Sequence, residues 1–474
     1  MQQLNGDLAL RIPELPQSDA PIPLGSAAFS AIEFLNGYAL VFVAAFLVTL
    51  ISTPFVRRLA ISMDIIDRPN EARKQHKFPI AYLGGFAVFL GVMTALGLSL
   101  FMIDGPGGML GPVPLSIVIG VLAITFTGLA DDVWGWDPRL KIAGQLVAAA
   151  ALAVQDIGTR VAEGVLAPFV GDATTVLLAL GPVSIASGDV FYWTGTALIA
   201  LFVLGGCNAM NLIDGLDGLC SGTAAIMATA LLVLSIALAA GVDFDNPFDS
   251  MAGTRVVLCL ALLGAVLGFL PWNFNPAVIF LGDCGSLLIG YLLVVVILML
   301  GEQGETHLVL AGLIIFALPI MDTSLAILRR KLAGVSMSQA DANHIHHLAK
   351  RALGGVKSAV VALYGVAALF GVFGVTLGIL AIEEVVRLRI IYAAAIVAFG
   401  GIGAVALKSA LRNRWQAQAR GLEESKPTDE AKPASEPENA PAITAAVVPV
   451  GATGPSIESS QLSQGASAAH ERVD

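Results

Sequence analysis

The sequence predicts an all-α polytopic membrane protein, and three observations carry that fold class. Of the 474 residues, 56% are apolar and only 13% are charged. Mean hydropathy is strongly positive. Uncharged apolar runs of about 20 residues, the length that crosses about 30 Å of hydrocarbon, recur along the chain. A soluble globular domain is excluded. The expected architecture is about eleven transmembrane helices with a small periplasmic β-hairpin. The formal net charge of −10 misleads, because acidic residues collect in the C-terminal tail while Lys and Arg gather in particular short loops.

Residues 1–36 contain several prolines and no basic start followed by an apolar core, so they read as a short extension rather than a signal peptide. The first span, about 38–56, runs into Arg57-Arg58 and a basic loop reaching Lys77. Spans follow at about 83–103, 113–130 and 140–155, with the polar turn Asp131-Asp132-Val-Trp-Gly-Trp-Asp137-Pro138 before the last of them. The apolar run at 174–187 is short and broken by Gly181-Pro182, and its Val, Thr and Ile content predicts a β-hairpin outside the membrane. Further spans lie at about 191–207, 219–241, 254–271, 282–300 and 307–327, the last containing Pro319 and Asp322. Two more, about 357–381 and 390–410, complete a membrane domain at 37–410. Beyond Arg412, Arg414 and Arg420 the chain turns to Pro, Ala, Ser and Glu, which cannot bury a core, so 411–474 reads as a disordered cytoplasmic tail. The four cysteines, Cys207, Cys220, Cys259 and Cys284, lie in or beside apolar spans without CxxC spacing and read as buried free thiols.

The stretch Asn208-Ala-Met-Asn211-Leu-Ile-Asp214-Gly-Leu-Asp217-Gly218 crowds two amides and two carboxylates into one turn between apolar segments. A helix cap needs one such residue, not four. If the basic first loop is cytoplasmic, the turns at 131, 208, 272 and 329 all return to the same side, with the N-terminus out and the C-terminus in. The opposite loops hold few basic residues, chiefly Arg160, Arg255, Arg387 and Arg389. Independent capping turns would fall on both faces, so the one-sided clustering predicts a single cytoplasm-facing site.

That face carries Asp131, Asp132, Asp214, Asp217 and Asp283, the amides of Asn208, Asn211, Asn273 and Asn275, Lys141, Arg329 and Arg330, and His344, His346 and His347. Hard oxygen ligands beside cations suit Mg²⁺, with Mn²⁺ as the alternative ion, holding a diphosphate. Phosphoryl transfer asks for positioning and charge neutralisation, which this set supplies. No Walker A pattern occurs, which argues against ATP hydrolysis. With so little chain outside the membrane, one substrate is expected to be a lipid. Each piece also has a structural reading. Asp131 and Asp132 could be a solvated span end, Lys141 could snorkel, and Trp134 and Trp136 suit an interfacial belt. Gly282, Gly285 and Ser286 could serve close helix packing, and the histidines could bind a metal or a pyrophosphate. A secondary transporter is the rival from another class, but its charges would sit near mid-membrane, and only Asp322 lies visibly inside a span, placed to buttress the site.

The motifs resemble those of the polyprenyl-phosphate N-acetylhexosamine-1-phosphate transferases. The likeness covers about residues 40–410 and runs in the family's order: Asp67-Arg-Pro69 with Arg73-Lys-Gln-His76 and Gly84-Gly85; Gly128-Leu-Ala-Asp131-Asp132 with Lys141; Asn208 to Gly218; Phe280 to Ser286; and His344-Ile-His-His347. The His-x-His-His form is similar to the branch using UDP-N-acetylglucosamine. The resemblance implies transfer of N-acetylglucosamine 1-phosphate to undecaprenyl phosphate in the bacterial inner membrane, releasing UMP and starting a surface polysaccharide. A sibling using another UDP-N-acetylhexosamine is the alternative; nucleic acid is not an expected partner, and a homodimer is left open. By matched motif, Asp283 and Asn211 would hold Mg²⁺, and Asp131 and Asp132 would orient or deprotonate the lipid phosphate, gripped by Lys141 and His76. Asp214 and Asp217 would serve catalysis or the nucleotide sugar, which Asn208, Arg329, Arg330, His344, His346 and His347 would bind. Ala342 and Asn343 depart from the basic and polar residues common before the first histidine, and Cys284 replaces a commoner Thr, Ala or Ser.

Overall fold

A computed structural model of the chain describes residues 24–68, 79–102, 113–180, 183–240, 251–334 and 344–424. Its helices are α1 (Leu24–Ser62), α2 (Gly84–Ser99), α3 (Leu115–Trp134), α4 (Pro138–Val154), α5 (Val161–Val170), α6 (Ser187–Ile213), α7 (Leu219–Ala240), α8 (Met251–Asn273), α9 (Gly282–Met299), α10 (Thr306–Ile315), α11 (Ala317–Ala333), α12 (Ile345–Leu353), α13 (Val356–Ile382) and α14 (Leu388–Glu424). Helix covers all eleven expected stretches. Eleven full spans are not shown: among the described residues seven helices are long and apolar enough, by length and composition, to cross a membrane, or eight if the bent pair α10 and α11 is one span. Two of the remaining stretches are short. Helix α2 has 16 residues and α4 has 17, about 25 Å each at 1.5 Å per residue, and α4 carries Arg139 and Lys141 in its first turn. The chain is a multi-pass, mostly helical membrane protein.

The ninth expected span is broken, with α10 and α11 meeting at 76°. Pro319 is the third residue of α11, where its missing N–H costs nothing but where a helix continuous with α10 could not form. The hairpin pairs β3 (Val176–Leu180) with β4 (Val183–Ala186), antiparallel, as the alternating Val/Ile pattern requires. Its turn at Gly181-Pro182 lies outside the described residues. Helix α5, just before it, was not foreseen. A smaller hairpin, β1 (Ile66–Asp67) with β2 (Ile80–Ala81), touches Ile279 through a parallel bridge from Ala81.

Helix α9 is the axis of the bundle, with 94% of its apolar window buried. Small residues let its neighbours close on its first turn. A Cβ on Gly85 of α2 would lie 2.0 Å from the Gly285 nitrogen, and one on Gly128 of α3 would lie 2.5 Å from Cys284 Cα. Backbone N–H groups of Gly84 and Gly85 donate to the carbonyls of Phe280 and Leu281 at 2.9 and 2.7 Å. The glycine pair therefore fixes where α9 begins, by the close backbone approach that drives packing inside membranes. All four cysteines are buried and free.

Candidate active site

Asp283 stands in the first turn of α9, just after Gly282 at φ +73°, a conformation that favours glycine. A side chain at 282 would also collide with Asp132, whose Oδ2 lies 2.6 Å from a Cβ placed there. Asp132 ends α3, and its carboxylate accepts the backbone N–H groups of Asp283 at 2.8 Å and Cys284 at 3.0 Å. It thus caps α9 from a neighbouring helix, satisfying donors that a helix start leaves orphaned.

The Asp283 side chain is shared between two further helices. Oδ2 accepts from Lys141 Nζ of α4 at 2.6 Å, and Oδ1 accepts from Asn211 Nδ2 of α6 at 2.7 Å. The same amide donates to Ser286 Oγ at 3.0 Å. Lys141 also pairs with Asp131 Oδ2 at 2.7 Å, so one ammonium bridges two carboxylates. Lys141 is accordingly an internal counter-ion and does not snorkel. The turn that presents it is built by Gly135 at φ +62°, the Asp137 side chain accepting from Arg139 N–H, and Pro138 at the first helical position. Trp134 beside it is two-thirds exposed, while Trp136 packs edge-on against Phe126.

The 214–218 turn is fastened from two sides. Asp217 Oδ2 accepts from Asn275 Nδ2 at 2.7 Å and from Ala277 N–H at 3.0 Å, and Asn273 Oδ1 accepts from Gly218 N–H and Ser221 Oγ–H. From α13, the Tyr364 hydroxyl donates to the Gly218 carbonyl. Asp217 in this structure is therefore a tie between the turn and the end of α8. Asp214 has no such partner among the described residues. Desolvation first, then the charges of Asp283, Asp132 and Asp217, push its pKa up to about 8. Part of Asp214 remains open to solvent, which moderates the desolvation; the three like charges fix the direction regardless.

The histidines lie beside this turn and not in a loose loop. His344 precedes α12, and His346 and His347 lie in its first turn. The His346 ring rests on Gly215, where an added Cβ would sit 2.3 Å from Nε2. The rings of His344 and His346 are parallel with centroids 5.5 Å apart. Burial, then the neighbouring His347, lowers the His346 pKa to about 4, with Asp322 opposing and His344 adding to the fall; His347 is lowered as well, first by burial.

The exposed Asn208 donates from Nδ2 to Gln145 Oε1 and to the Leu204 carbonyl, both at 2.8 Å, tying α6 to α4. Arg329 and Arg330 follow Asp322 by two turns of α11, about 10 Å along the axis. His76, with Asp341, Ala342 and Asn343, lies outside the described residues. Sequence reasoning missed Gln145 and Tyr364, and each had a legible signal: a polar side chain flanked by apolar residues within a helix, Gln145 one turn after Lys141.

A family model described as glycosyl transferase family 4 matches residues 114–301. Decaprenyl-phosphate N-acetylglucosaminephosphotransferase of Mycolicibacterium smegmatis is 34% identical over 337 residues, 66% of this chain and 75% of the relative. The probable undecaprenyl-phosphate N-acetylglucosaminyl 1-phosphate transferase of Bacillus subtilis is 31% identical over 309 residues, 65% of this chain and 75% of the relative.

The chain belongs to the polyprenyl-phosphate hexosamine-1-phosphate transferases.

This phosphoglycosyl transferase also matches a phospho-N-acetylmuramoyl-pentapeptide-transferase of Bacillus thuringiensis, 29% identical over 337 residues and covering 69% and 92% of the two chains. The match to the family model spans α3 to α9 and so contains the whole carboxylate cluster, whereas the histidines lie beyond it. The donor set fits Mg²⁺. Among the described residues no three His, Cys, Asp or Glu side chains form a cage, but Mg²⁺ takes one or two protein carboxylates and fills its octahedron with water and phosphate oxygens. Asp283 is the carboxylate on which the cluster converges, and one ammonium, Lys141, is shared between it and Asp131.

Proposed function

We propose that this transferase moves N-acetylglucosamine 1-phosphate from UDP-N-acetylglucosamine to undecaprenyl phosphate, releasing UMP and starting a surface polysaccharide. A lipid-phosphate oxygen ends up bonded to the sugar-bearing phosphorus, and the bond from that phosphorus to the UMP oxygen breaks. In this reading all eleven helical stretches cross or dip into a bacterial plasma membrane, with the N-terminus out and the site facing the cytoplasm. The supporting observation is the convergence of Asp283, Asp131 and Lys141 from α9, α3 and α4, together with Asn211 of α6, at one end of the bundle.

Asp283 and the Asn211 carbonyl oxygen would hold Mg²⁺, which supplies charge neutralisation for the diphosphate when bound. Lys141 places its ammonium between Asp131 and Asp283, where an arriving lipid phosphate meets a cation already oriented by two carboxylates. Asp131, once Lys141 turns to the phosphate, is free to accept a proton from it. Asp132 holds the start of α9, and the histidines close the diphosphate side of the site.

Purified protein in detergent with undecaprenyl phosphate, UDP-N-acetylglucosamine and Mg²⁺ should release UMP, and omission of any one of them should stop it. Turnover with another UDP-N-acetylhexosamine alone would keep the reaction and replace the donor, an outcome the likeness to the pentapeptide transferase makes worth testing. Silence with every donor would overturn the proposal.

A further inference from the structure

Asp322 is 1% exposed inside an apolar helix, where a carboxylate is costly unless its oxygens are bonded. Both oxygens are used, and both serve one short segment. Oδ2 faces His344 Nδ1 at 3.0 Å, and Oδ1 accepts the backbone N–H of Ile345 at 2.8 Å, inside the first turn of α12. His346 Nδ1 lies 3.9 Å from Oδ2 and has no hydrogen-bond partner among the described residues. Beyond its 76° bend from α10, helix α11 packs against α6 and α13.

An ionised carboxylate only accepts, so it places the proton of the His344 ring on Nδ1. The other ring nitrogen, Nε2, is then the one that can meet a substrate, and no group among the described residues bonds it. From Asp322 the contacts run on through the parallel His344 and His346 rings to Gly215, within the turn that bears Asp214 and Asp217. One buried carboxylate thus sets both a histidine tautomer and the seat of the histidine segment on the carboxylate turn.

We propose that Asp322 is a positioning residue of the transfer reaction, acting through His344: it fixes Nδ1 as a donor and so presents Nε2 as an acceptor to a hydroxyl group of the nucleotide sugar. The proposal rests on the diphosphate-sugar reading of the site. It adds a residue whose effect passes through another side chain.

The test is a double-mutant cycle on the full-length protein with Asp322→Asn, His344→Ala and the pair, following kcat and KM for UDP-N-acetylglucosamine. Asp322→Asn should lower kcat/KM by about 10- to 100-fold, the range for losing a hydrogen bond to a charged group, with the loss largely in KM. The double variant should be no worse than His344→Ala within about threefold, because the two side chains act as one unit. Multiplied losses, or wild-type kcat/KM in Asp322→Asn, would overturn the assignment. Should Asp322→Asn fail to fold, the ¹⁵N spectrum of histidine-labelled wild-type protein, assigned with His344→Gln, still decides: His344 protonated on Nδ1 supports the proposal and protonation on Nε2 alone overturns it. That spectrum is independent of turnover, so a wild-type protein silent with every UDP-sugar would defeat the reaction reading while the tautomer is judged separately.

Discussion

Asp283 and His344 belong to one site, yet they are held in opposite ways. Asp283 is gripped from three helices, by Lys141 of α4, by Asn211 of α6 and, through its backbone, by Asp132 of α3. His344 depends on Asp322 alone among the described residues. The difference follows from charge. The carboxylate end concentrates like charges that repel, and donors from neighbouring elements hold Asp131, Asp132, Asp217 and Asp283 there. At the histidine end burial lowers the pKa of His346 and His347, and one buried carboxylate bonds His344. One end is a cluster of carboxylates with one shared ammonium; the other is a histidine segment tied to one buried carboxylate.

Asp283→Asn should break the comparison most severely. The amide can still accept from Asn211, but it no longer offers a carboxylate to Mg²⁺ or to Lys141, which is left with Asp131 alone. A loss of at least about 10³-fold in kcat is expected from removing a central electrostatic element, with unchanged elution in detergent showing that insertion survives. Activity above about a tenth of wild type would mean that the convergence on Asp283 is architectural. Asp132→Asn should act less, because its amide oxygen can still accept one of the two N–H groups it caps. About 10- to 100-fold in activity and about 1 kcal/mol in stability are expected, the latter the scale of a lost helix cap. If that variant were as inactive as Asp283→Asn while melting like wild type, Asp132 would be a reacting group and not a cap.

Much of this was legible in the sequence, unevenly so. Helices, hairpin and carboxylate motifs were readable because apolar length, β-branched alternation and clustered Asp are local signals. The broken helix was not, although Pro319 was visible, since a proline marks where a helix can break and the packing of α11 against its neighbours decides that it does. Span number was less legible, because apolar stretches of 16 or 17 residues resemble full spans until their ends are seen. Within the site, residue types were readable and partners were not. Nothing local distinguishes Asp132, which caps α9 some 150 positions away, from its neighbour Asp131, which pairs with Lys141. Asp322 could be singled out as a charge inside a span, but its bond to His344 depends on the fold.

The smallest expected effect sharpens the contrast between the two ends through pH. Asp214 has a folded pKa near 8 against an ordinary 3.8, so between those values the folded protein keeps a proton that the unfolded chain has released. Stability from this group is therefore greatest at low pH and declines as pH rises toward about 8, by at most about 1.4 kcal/mol per pH unit for one proton and by less where solvent reaches the carboxyl. Thermal melting in detergent without divalent ions should fall by a few degrees between about pH 5 and about pH 8, and Asp214→Asn should flatten that slope. Added Mg²⁺ should flatten it in part, since burial raises the pKa first and a cation offsets only the share due to the neighbouring carboxylates. The histidine end predicts the reverse trend over a lower range: His346, lowered to about 4, disfavours the folded state only as pH falls below its ordinary 6.5. A wild-type slope that survives in Asp214→Asn would show that Asp214 is not what burdens the metal-free site, and the contrast in pH response between the carboxylate end and the histidine end would then lose its basis.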